Sequence, residues 1–346
     1  MSRIFEIDPN FRVETSSGHE DAVFFDPRKE PFKIYGVFYE NGMFRRLPEA
    51  VAERVGEGVK YLHANTAGGR LRFRTDSPYI IINAKMSGVE HFPHFPISGS
   101  GGFDLYVDGV YARSFMPPAD MKDGFESSAE PGETGMRDVL IHFPLYSNVN
   151  SLAVGLKAGS AVLPGGGYRD IPPVVYYGSS ITQGGCASRP GNAYENIVSR
   201  ELGVDHVNLG FSGSAKGEDE ITEYIAGLDM SAFVLDYDHN APTAGHLKST
   251  HEKMFLAIRE KHPVIPVIMM SRPKYILTED EKRRRGVVLS TYERAVAAGD
   301  EHVFFLDGPA LMARAKNDGT VDDCHPNDLG FFSMAQALTP VLGPVL

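Results

Sequence analysis

The stretch VVYYGSSITQGG, residues 174–185, joins an apolar run to a turn that holds two adjacent serines. Residues 174–177 are β-branched or aromatic, which is typical of a buried strand. Gly178 then permits the tight backbone geometry of a sharp turn. In α/β proteins, ligands bind at the carboxyl ends of such strands. The stretch therefore predicts an α/β fold, and it raises the question whether Ser179 or Ser180 acts on a ligand there.

The sequence after residue 174 alternates short apolar strands with helical segments. Residues 192–203, for example, predict a helix in which Asn192 and Glu195 form a capping box and Gly203 ends the last turn. Near-continuous apolar strands separated by helices are typical of a parallel sheet covered on both faces. The predicted strands are residues 174–177, 206–210, 232–238, 263–271 and 303–308.

Residues 61–162 show a different pattern, in which apolar and polar residues alternate as in strands that bury one face. RLRFRT at residues 70–75 is one such strand, and Asp108-Gly109 lies between two β-prone segments as in a tight hairpin. Residues 46–56 are the one short helix candidate in this half. The pattern predicts an antiparallel β-sandwich.

A glycine- and proline-rich segment, residues 163–173, separates the two patterns. A chain of 346 residues is long for a single domain of about 100–200 residues, so two domains are expected. We predict a β-sandwich domain over residues 1–165 and an α/β domain over residues 166–346.

The composition indicates a globular protein and narrows its partners. Apolar residues make up 42% of the chain and charged residues 23%. A net charge of -11 argues against nucleic acid and anionic membranes as partners. No apolar run approaches the roughly 18 residues of a transmembrane helix, and residues 1–11 lack the apolar core of a secretory signal. A cytoplasmic location is therefore predicted.

Cysteine occurs only at Cys186 and Cys324. This excludes a disulfide-rich scaffold and a thiolate metal cluster. Both residues flank the candidate catalytic segments described next, so their sulfur atoms could be neighbours. Two reduced thiols are favoured over a disulfide, and the pairing is left open.

Polar residues that follow the predicted strands supply the groups that acyl transfer needs. Ser180 offers a hydroxyl, which becomes nucleophilic when a base takes its proton. Asp322 precedes His325 by three residues, so a local turn would let the carboxylate orient the imidazole. Gly213 and Asn240 offer donors for an oxyanion, and loss of one such donor typically costs about 100- to 1000-fold in rate. Together these residues predict a serine hydrolase site.

Four blocks of the sequence resemble those of the SGNH (GDSL-type) hydrolase superfamily. They are GSSITQG at 178–184, NLGFSG at 208–213, the asparagine of DYDHN at 236–240 and DxxHP at 322–326. GFDLY at 102–106 resembles the signature of an N-terminal β-domain found on some of these esterases. The resemblance implies a flavodoxin-like, three-layer α/β/α domain with a five-stranded parallel sheet, preceded by an antiparallel, jelly-roll-like β-sandwich.

Carried over by position, the resemblance makes Ser180 the nucleophile, His325 the base and Asp322 the acid that orients the base. The oxyanion hole would consist of the amides of Ser180 and Gly213 and the side chain of Asn240. The resemblance implies neither a metal ion nor a cofactor.

The sequence departs from the usual motifs of the superfamily at two places. Ser179 stands where the superfamily usually has aspartate, and we assign it no chemistry. DYDHN at 236–240 replaces the usual glycine-rich segment before the asparagine.

His239 is a rival base, but it lacks the local acid that precedes His325 by three residues. Asp323 is a rival acid whose side chain is expected to point elsewhere.

The resemblance to carbohydrate esterases favours hydrolysis of short acyl esters, acetyl above all, on small or oligosaccharide substrates. The alternatives are a lipase or thioesterase of the same superfamily and a carbohydrate-binding protein without turnover. The candidate substrate-binding residues are Arg189, His239, His91 and His94. For Arg189 an ion pair with the acidic surface is an equal alternative, and for His91 and His94 the alternative is a plain surface loop. Self-association is left open.

Overall fold

The computed structural model of the protein describes residues 17–132 and 135–346. The opening segment, residues 1–11, on which the predicted location partly depends, lies outside the described residues. No helix in the described part of the chain is long and apolar enough to cross a membrane.

The first half contains two antiparallel sheets. One has the strand order β1 (Ala22–Phe25), β11 (Asn148–Lys157), β6 (Ile80–Ser87), β9 (Gly124–Ala129). The other has the order β12 (Val162–Leu163), β5 (Arg70–Thr75), β10 (Arg137–His142), β7 (Phe103–Val107), β8 (Val110–Phe115), and β2 (Lys33–Tyr35) also pairs with β5. The other elements in the described part of this half are the hairpin β3 (Phe38–Glu40) and β4 (Met43–Arg45) and the helices α1 (Glu49–Val55), α2 (Glu57–Leu62) and α3 (Ile97–Ser100).

The two antiparallel sheets enclose one apolar core. Leu71 and Phe73 of β5 are fully buried in it together with Ile82 of β6, so the alternation read from RLRFRT holds. Asp108 and Gly109 join β7 to β8 with φ angles of 49° and 82°, the left-handed conformation that a tight hairpin turn requires. The predicted β-sandwich is confirmed.

The second half contains a parallel sheet. Its strand order is β14 (His206–Gly210), β13 (Val174–Gly178), β15 (Ala232–Asp236), β16 (Val267–Met270), β17 (Val303–Leu306). Along the chain this is the order 2-1-3-4-5 of flavodoxin-like domains. The order reverses between β13 and β15, and ligands of such sheets bind at the carboxyl ends of the strands beside this reversal.

Helices cover both faces of the parallel sheet. One face packs against α5 (Tyr194–Leu202) and α10 (Asp328–Leu342). The other packs against α6 (Asp219–Ala226), α7 (Ala244–Lys261) and α8 (Glu279–Ala297). Two four-residue helices, α4 (Ser180–Gln183) and α9 (Gly308–Leu311), follow strands β13 and β17. The predicted three-layer α/β/α arrangement is confirmed, whereas the division at residue 165 stays a prediction.

The capping box predicted at the start of α5 is wrong. A 3-10 turn begins at Pro190 and includes Asn192, so the helix starts beyond the predicted cap. Glu195 turns into the core instead, where the Asn208 side-chain amide donates to its carboxyl oxygen at 2.9 Å. The predicted end of the helix is confirmed, since Gly203 adopts a left-handed conformation with a φ of 65°.

A buried arginine links the two halves. Arg46 follows β4 and is 2% exposed. Its guanidinium donates to the backbone carbonyls of Leu62, Asn65 and Gly210 at 3.0, 2.6 and 2.7 Å. Burial lowers the pKa of Arg46 to about 9. Because Gly210 ends β14, Arg46 ties the first half to the strand that leads into the Gly213 loop.

Arg46→Met is expected to lower the free energy of unfolding by about 3 kcal/mol or more, because each buried carbonyl left without a donor costs about 1–3 kcal/mol. Urea denaturation followed by circular dichroism measures this loss. Arg283→Met is the matched control, since the Arg283 side chain is 68% exposed and its loss should cost less than about 0.5 kcal/mol. Equal losses in the two variants would contradict the role assigned to Arg46.

Candidate active site

Ser180 stands at the start of α4, directly beyond the end of β13. Ser179 caps this short helix, because its hydroxyl accepts the Ile181 N–H at 3.1 Å. Gly178 is required by close packing, since a Cβ at this position would lie 2.1 Å from Thr182 Oγ1. Ser179 therefore caps the helix, and Ser180 is the serine that contacts a histidine.

Ser180, His325 and Asp322 form one chain of hydrogen bonds. His325 Nε2 lies 2.9 Å from Ser180 Oγ, and His325 Nδ1 lies 2.8 Å from Asp322 Oδ2. Asp322 Oδ1 also accepts the backbone N–H groups of Cys324 and His325, at 3.1 and 2.7 Å. The three-residue spacing therefore forms the local turn that the sequence predicts, and the fold brings it to a serine 145 positions away.

The hydrogen bonds that Asp322 accepts determine its protonation state. Burial alone would raise the pKa of Asp322, but the bonds from the His325 backbone and ring outweigh burial and lower the pKa to about 2. Asp322 is therefore a carboxylate at neutral pH, and His325 Nδ1 donates to it. This leaves Nε2 as an acceptor for the Ser180 hydroxyl. Asp323 does not compete, because its carboxylate accepts from Lys274 Nζ at 2.7 Å.

Gly213 and Asn240 lie in loops that touch each other. The loops follow β14 and β15, the two strands that flank β13. Asn240 Nδ2 donates to the Phe211 carbonyl at 2.8 Å, and the Ser214 N–H donates to the same carbonyl at 2.9 Å. Gly213 lies inside that turn with a φ of 66°, a conformation that glycine adopts without strain. Both predicted oxyanion donors thus lie on loops next to the strand that precedes Ser180.

The sequence patterns predict neither of two residues that support the backbone of the site, Gln183 and Tyr146. Gln183 Oε1 accepts the Ser212 N–H at 3.0 Å, and Gln183 Nε2 donates to Asn65 Oδ1 at 3.0 Å. The Tyr146 hydroxyl donates to the backbone carbonyl of Ser180 at 3.1 Å. Gln183 belongs to the GSSITQG block, so its polar side chain close to the candidate nucleophile could have been noticed in the sequence. Tyr146 gives no sequence signal, because it belongs to the other half of the chain.

A loop of the first half, residues 92–95, lies against the histidine. The ring centroids of His94 and Phe95 are 5.6 and 5.8 Å from that of His325. Phe95 also packs on Tyr146, with the ring centroids 4.8 Å apart. His94, one of the predicted substrate-binding residues, therefore lies beside the site.

A cleft of about 220 Å³ adjoins the site. Tyr61, Phe92 and Tyr146 give it an aromatic wall, and Ser212 lies at its border. Ser212 and Ser214 line the cleft on either side of Gly213, so the cleft lies next to the Gly213 loop, whereas Ser180 and His325 do not line it. Its size suits a small group rather than a long chain.

Arg189 lies at the junction of the two halves. Its guanidinium donates to Asp104 Oδ2 at 2.9 Å and to the Tyr106 hydroxyl at 2.6 Å, and it lies 3.9 Å from the centre of the Tyr111 ring. Asp104 also accepts the Gly191 N–H at 2.7 Å. Asp104 and Tyr106 are the aspartate and tyrosine of GFDLY, so this motif holds the loop that follows α4. The contacts of Arg189 are thus structural, with a buried carboxylate rather than an acidic surface.

The other two predicted histidines lie outside the hydrogen-bonded chain. His91 is exposed, and its Nε2 lies 3.0 Å from the carbonyl of Met121. The ring nitrogens of His239 have no hydrogen-bond partner within residues 17–132 and 135–346. Burial, together with the charges of Arg272 and His325, lowers the pKa of His239 well below its usual range. His239 is therefore a neutral ring next to the site.

Cys186 and Cys324 are free thiols. Burial raises the pKa of Cys186 to about 12 and raises the pKa of Cys324 above its usual value, so both stay protonated at neutral pH. The Cys186 sulfur lies beside His94 and His325, and the sulfur and one nitrogen of each ring are all within 4.8 Å of one another.

This chain has a flavodoxin-like sheet with a serine hydrogen-bonded to a histidine at its strand reversal, and an antiparallel sandwich precedes the sheet. These features agree with what the resemblance to SGNH-type ester hydrolases implies. Residues 172–343 match the model of the GDSL-like lipase/acylhydrolase family, and residues 22–162 match that of the N-terminus of SGNH-hydrolase-type esterases. The chain belongs to the GDSL-like lipase/acylhydrolase family and is an esterase that carries this N-terminal domain. The resemblance seen in the four blocks and in GFDLY is confirmed.

Solved structures share the architecture over nearly the whole chain. A protein from Bacteroides ovatus ATCC 8483, assigned as a GDSL-like lipase, is 28% identical with a TM-score of 0.83, covering 94% of this chain and 98% of its own. A salicylyl-acyltransferase from a tetracycline biosynthetic pathway is 22% identical with a TM-score of 0.76, covering 95% and 100%. A family two carbohydrate esterase from Clostridium thermocellum, in complex with cellohexaose, is 14% identical with a TM-score of 0.62, covering 90% and 98%. The last two show the fold. No match is found among curated proteins.

Proposed function

We propose that the protein is a serine esterase that removes short acyl groups, acetyl above all, from carbohydrates. Ser180 is the nucleophile, His325 the base and Asp322 the residue that orients the base. The observation that supports these roles is the chain of hydrogen bonds from Ser180 Oγ to His325 Nε2 at 2.9 Å and from His325 Nδ1 to Asp322 Oδ2 at 2.8 Å.

The reaction begins when Ser180 Oγ attacks the ester carbonyl and its proton passes to His325 Nε2. The imidazolium that forms is stabilised by the Asp322 carboxylate, which stays ionised because its pKa is about 2. His325 then gives the proton to the departing alcohol oxygen, which leaves an acyl-enzyme on Ser180. Water attacks the acyl-enzyme with His325 again as base, releases the acid and restores the serine.

The oxyanion formed in each step is held by donors from three segments of the chain. These are the backbone N–H groups of Ser180 and Gly213 and the side chain of Asn240. The Asn240 amide group uses one hydrogen for the Phe211 carbonyl, which leaves the second for the oxyanion. Such preorganised donors act where charge develops in the transition state.

The cleft next to the Gly213 loop supports a short acyl group and a sugar alcohol. Its volume of about 220 Å³ leaves little room for a long chain. Phe92 and Tyr61 at its wall are 38% and 55% exposed, so their rings offer flat apolar faces on which a sugar ring can stack. His94 lies beside His325, with the ring centroids 5.6 Å apart, and can donate to a sugar hydroxyl. Carbohydrate esterases occur among proteins of this fold.

A series of 4-nitrophenyl esters from acetate to decanoate tests the acyl preference. We expect kcat/KM to be highest for acetate or propionate and at least about 10-fold lower for octanoate, since one methylene that fits badly already costs about 10-fold or more. An optimum at octanoate or beyond would instead assign the protein to the lipase or thioesterase alternative.

Acetate release from acetylated mono- and oligosaccharides tests the alcohol part of the substrate. Acetylated glucose, xylo-oligosaccharides and cello-oligosaccharides are compared with ethyl acetate, and Ser180→Ala is the blank. Faster release from the sugars supports the proposal. Binding of the sugars without release from any of them would favour the carbohydrate-binding alternative.

A further inference from the structure

Three side chains with metal-binding donors meet at the candidate active site. His94 comes from the loop before α3, Cys186 from the loop after α4, and His325 from the loop before α10. One ring nitrogen of each histidine and the Cys186 sulfur all lie within 4.8 Å of one another. This convergence of separate segments requires the folded chain, because the sequence separates the residues widely.

Two imidazoles and one thiol form a donor set that suits a borderline-soft divalent cation such as Zn²⁺. Zn–N and Zn–S bonds of about 2.0–2.3 Å place two nitrogens and one sulfur roughly 3.3–3.6 Å apart around a tetrahedral ion. Donors at the observed limit of 4.8 Å must therefore close by up to about 1.5 Å to form the site. The His94 side chain is 32% exposed and can supply this movement. Water can occupy the fourth position of the tetrahedron.

The hydrogen bond to Asp322 determines which ring nitrogen of His325 can bind a metal ion. Asp322 occupies Nδ1 at 2.8 Å, which leaves Nε2 for the cation. Nε2 is also the atom that lies 2.9 Å from Ser180 Oγ. A cation bound there removes the lone pair that must accept the serine proton, so metal binding and catalysis exclude each other.

We propose that His94, Cys186 and His325 form a reversible inhibitory site for Zn²⁺. The Cys186 thiol releases its proton to solvent as the thiolate binds, and the cation blocks His325 Nε2 until a chelator or dilution removes it. The inhibitory effect depends on the proposed role of His325 as base, whereas the binding itself does not. Two separate measurements therefore distinguish the site from the function.

The first measurement is inhibition of 4-nitrophenyl acetate hydrolysis by Zn²⁺, with reversal by EDTA. Cys186→Ser should raise the Zn²⁺ concentration for half-inhibition by at least about 10-fold, since even partners that only orient a metal ligand contribute about 10- to 100-fold to affinity. Cys324→Ser is the matched control: Cys324 adjoins His325 but lies outside the cluster, so its loss should leave the Zn²⁺ sensitivity unchanged. Equal sensitivity of wild type and Cys186→Ser would overturn the proposal.

The second measurement is direct and needs no turnover. Co²⁺ added to Ser180→Ala should give the near-ultraviolet charge-transfer band of a thiolate–cobalt bond, and the band should disappear in Ser180→Ala/Cys186→Ser. A Co²⁺ spectrum without a thiolate band would overturn the proposed site even if Zn²⁺ inhibits the wild type. A thiolate band in a protein that hydrolyses no ester would support the site and contradict the proposed function.

Discussion

Ser180→Ala is expected to lower kcat for 4-nitrophenyl acetate by at least about 10⁴-fold, since loss of the nucleophile from a comparable triad costs about 10⁶-fold. The physical reason is that the acyl-enzyme can no longer form, so the substrate must react with water directly. The folded structure should be little affected, because within the described residues the Ser180 hydroxyl has a single hydrogen-bond partner, His325 Nε2. Stopped-flow or steady-state release of 4-nitrophenolate measures the loss.

Ser179→Ala is the matched control for Ser180→Ala. Its hydroxyl caps α4 through the Ile181 N–H, so its removal should cost about 1 kcal/mol of stability while most of the rate is kept. A fluorophosphonate probe adds a second readout, because mass spectrometry should find the adduct on Ser180 in wild type and in Ser179→Ala. Hydrolysis at equal rates by wild type and Ser180→Ala would remove Ser180 from the role of nucleophile.

Much of the fold follows from local periodicity. The predicted strand at residues 206–210 coincides with β14, and the others overlap β13, β15, β16 and β17. This works because a parallel strand buried on both faces has a near-continuous apolar sequence. The capping box at Asn192 fails because two physical effects compete with it. Pro190 starts a 3-10 turn, and Glu195 finds a buried partner in Asn208.

Some residues of the site are positioned by local contacts, and others are positioned by contacts between distant parts of the chain. Asp322 and His325 could be predicted because their spacing forms the turn by itself. Tyr146 and Phe95 could not, because they reach the site from the other half of the chain. His94 is a predicted substrate-binding residue, but its contact with the His325 ring gives no signal in the sequence. The periodicity of apolar residues cannot indicate such contacts, because the contacting residues lie farther apart in the sequence than any helical or strand repeat.

Asp322→Asn is expected to lower kcat by about 10⁴-fold, although it replaces only one oxygen. The asparagine Oδ1 can still accept the backbone N–H groups that Asp322 Oδ1 accepts at 2.7 and 3.1 Å. Its Nδ2 group, however, then faces His325 Nδ1 in place of the carboxylate oxygen and donates to it. Nδ1 becomes the acceptor, the ring proton moves to Nε2, and Nε2 can no longer take the proton of Ser180.

Two comparisons separate this effect on the histidine tautomer from a loss of structure. Asp323→Asn changes the neighbouring carboxylate, which is 79% exposed and pairs with Lys274, so its rate should stay close to that of wild type. The double variant Ser180→Ala/Asp322→Asn should be no slower than Ser180→Ala alone, because residues that act as one unit lose their shared contribution only once. If the two losses multiply instead, Asp322 acts on the rate by a route that does not pass through Ser180 and His325.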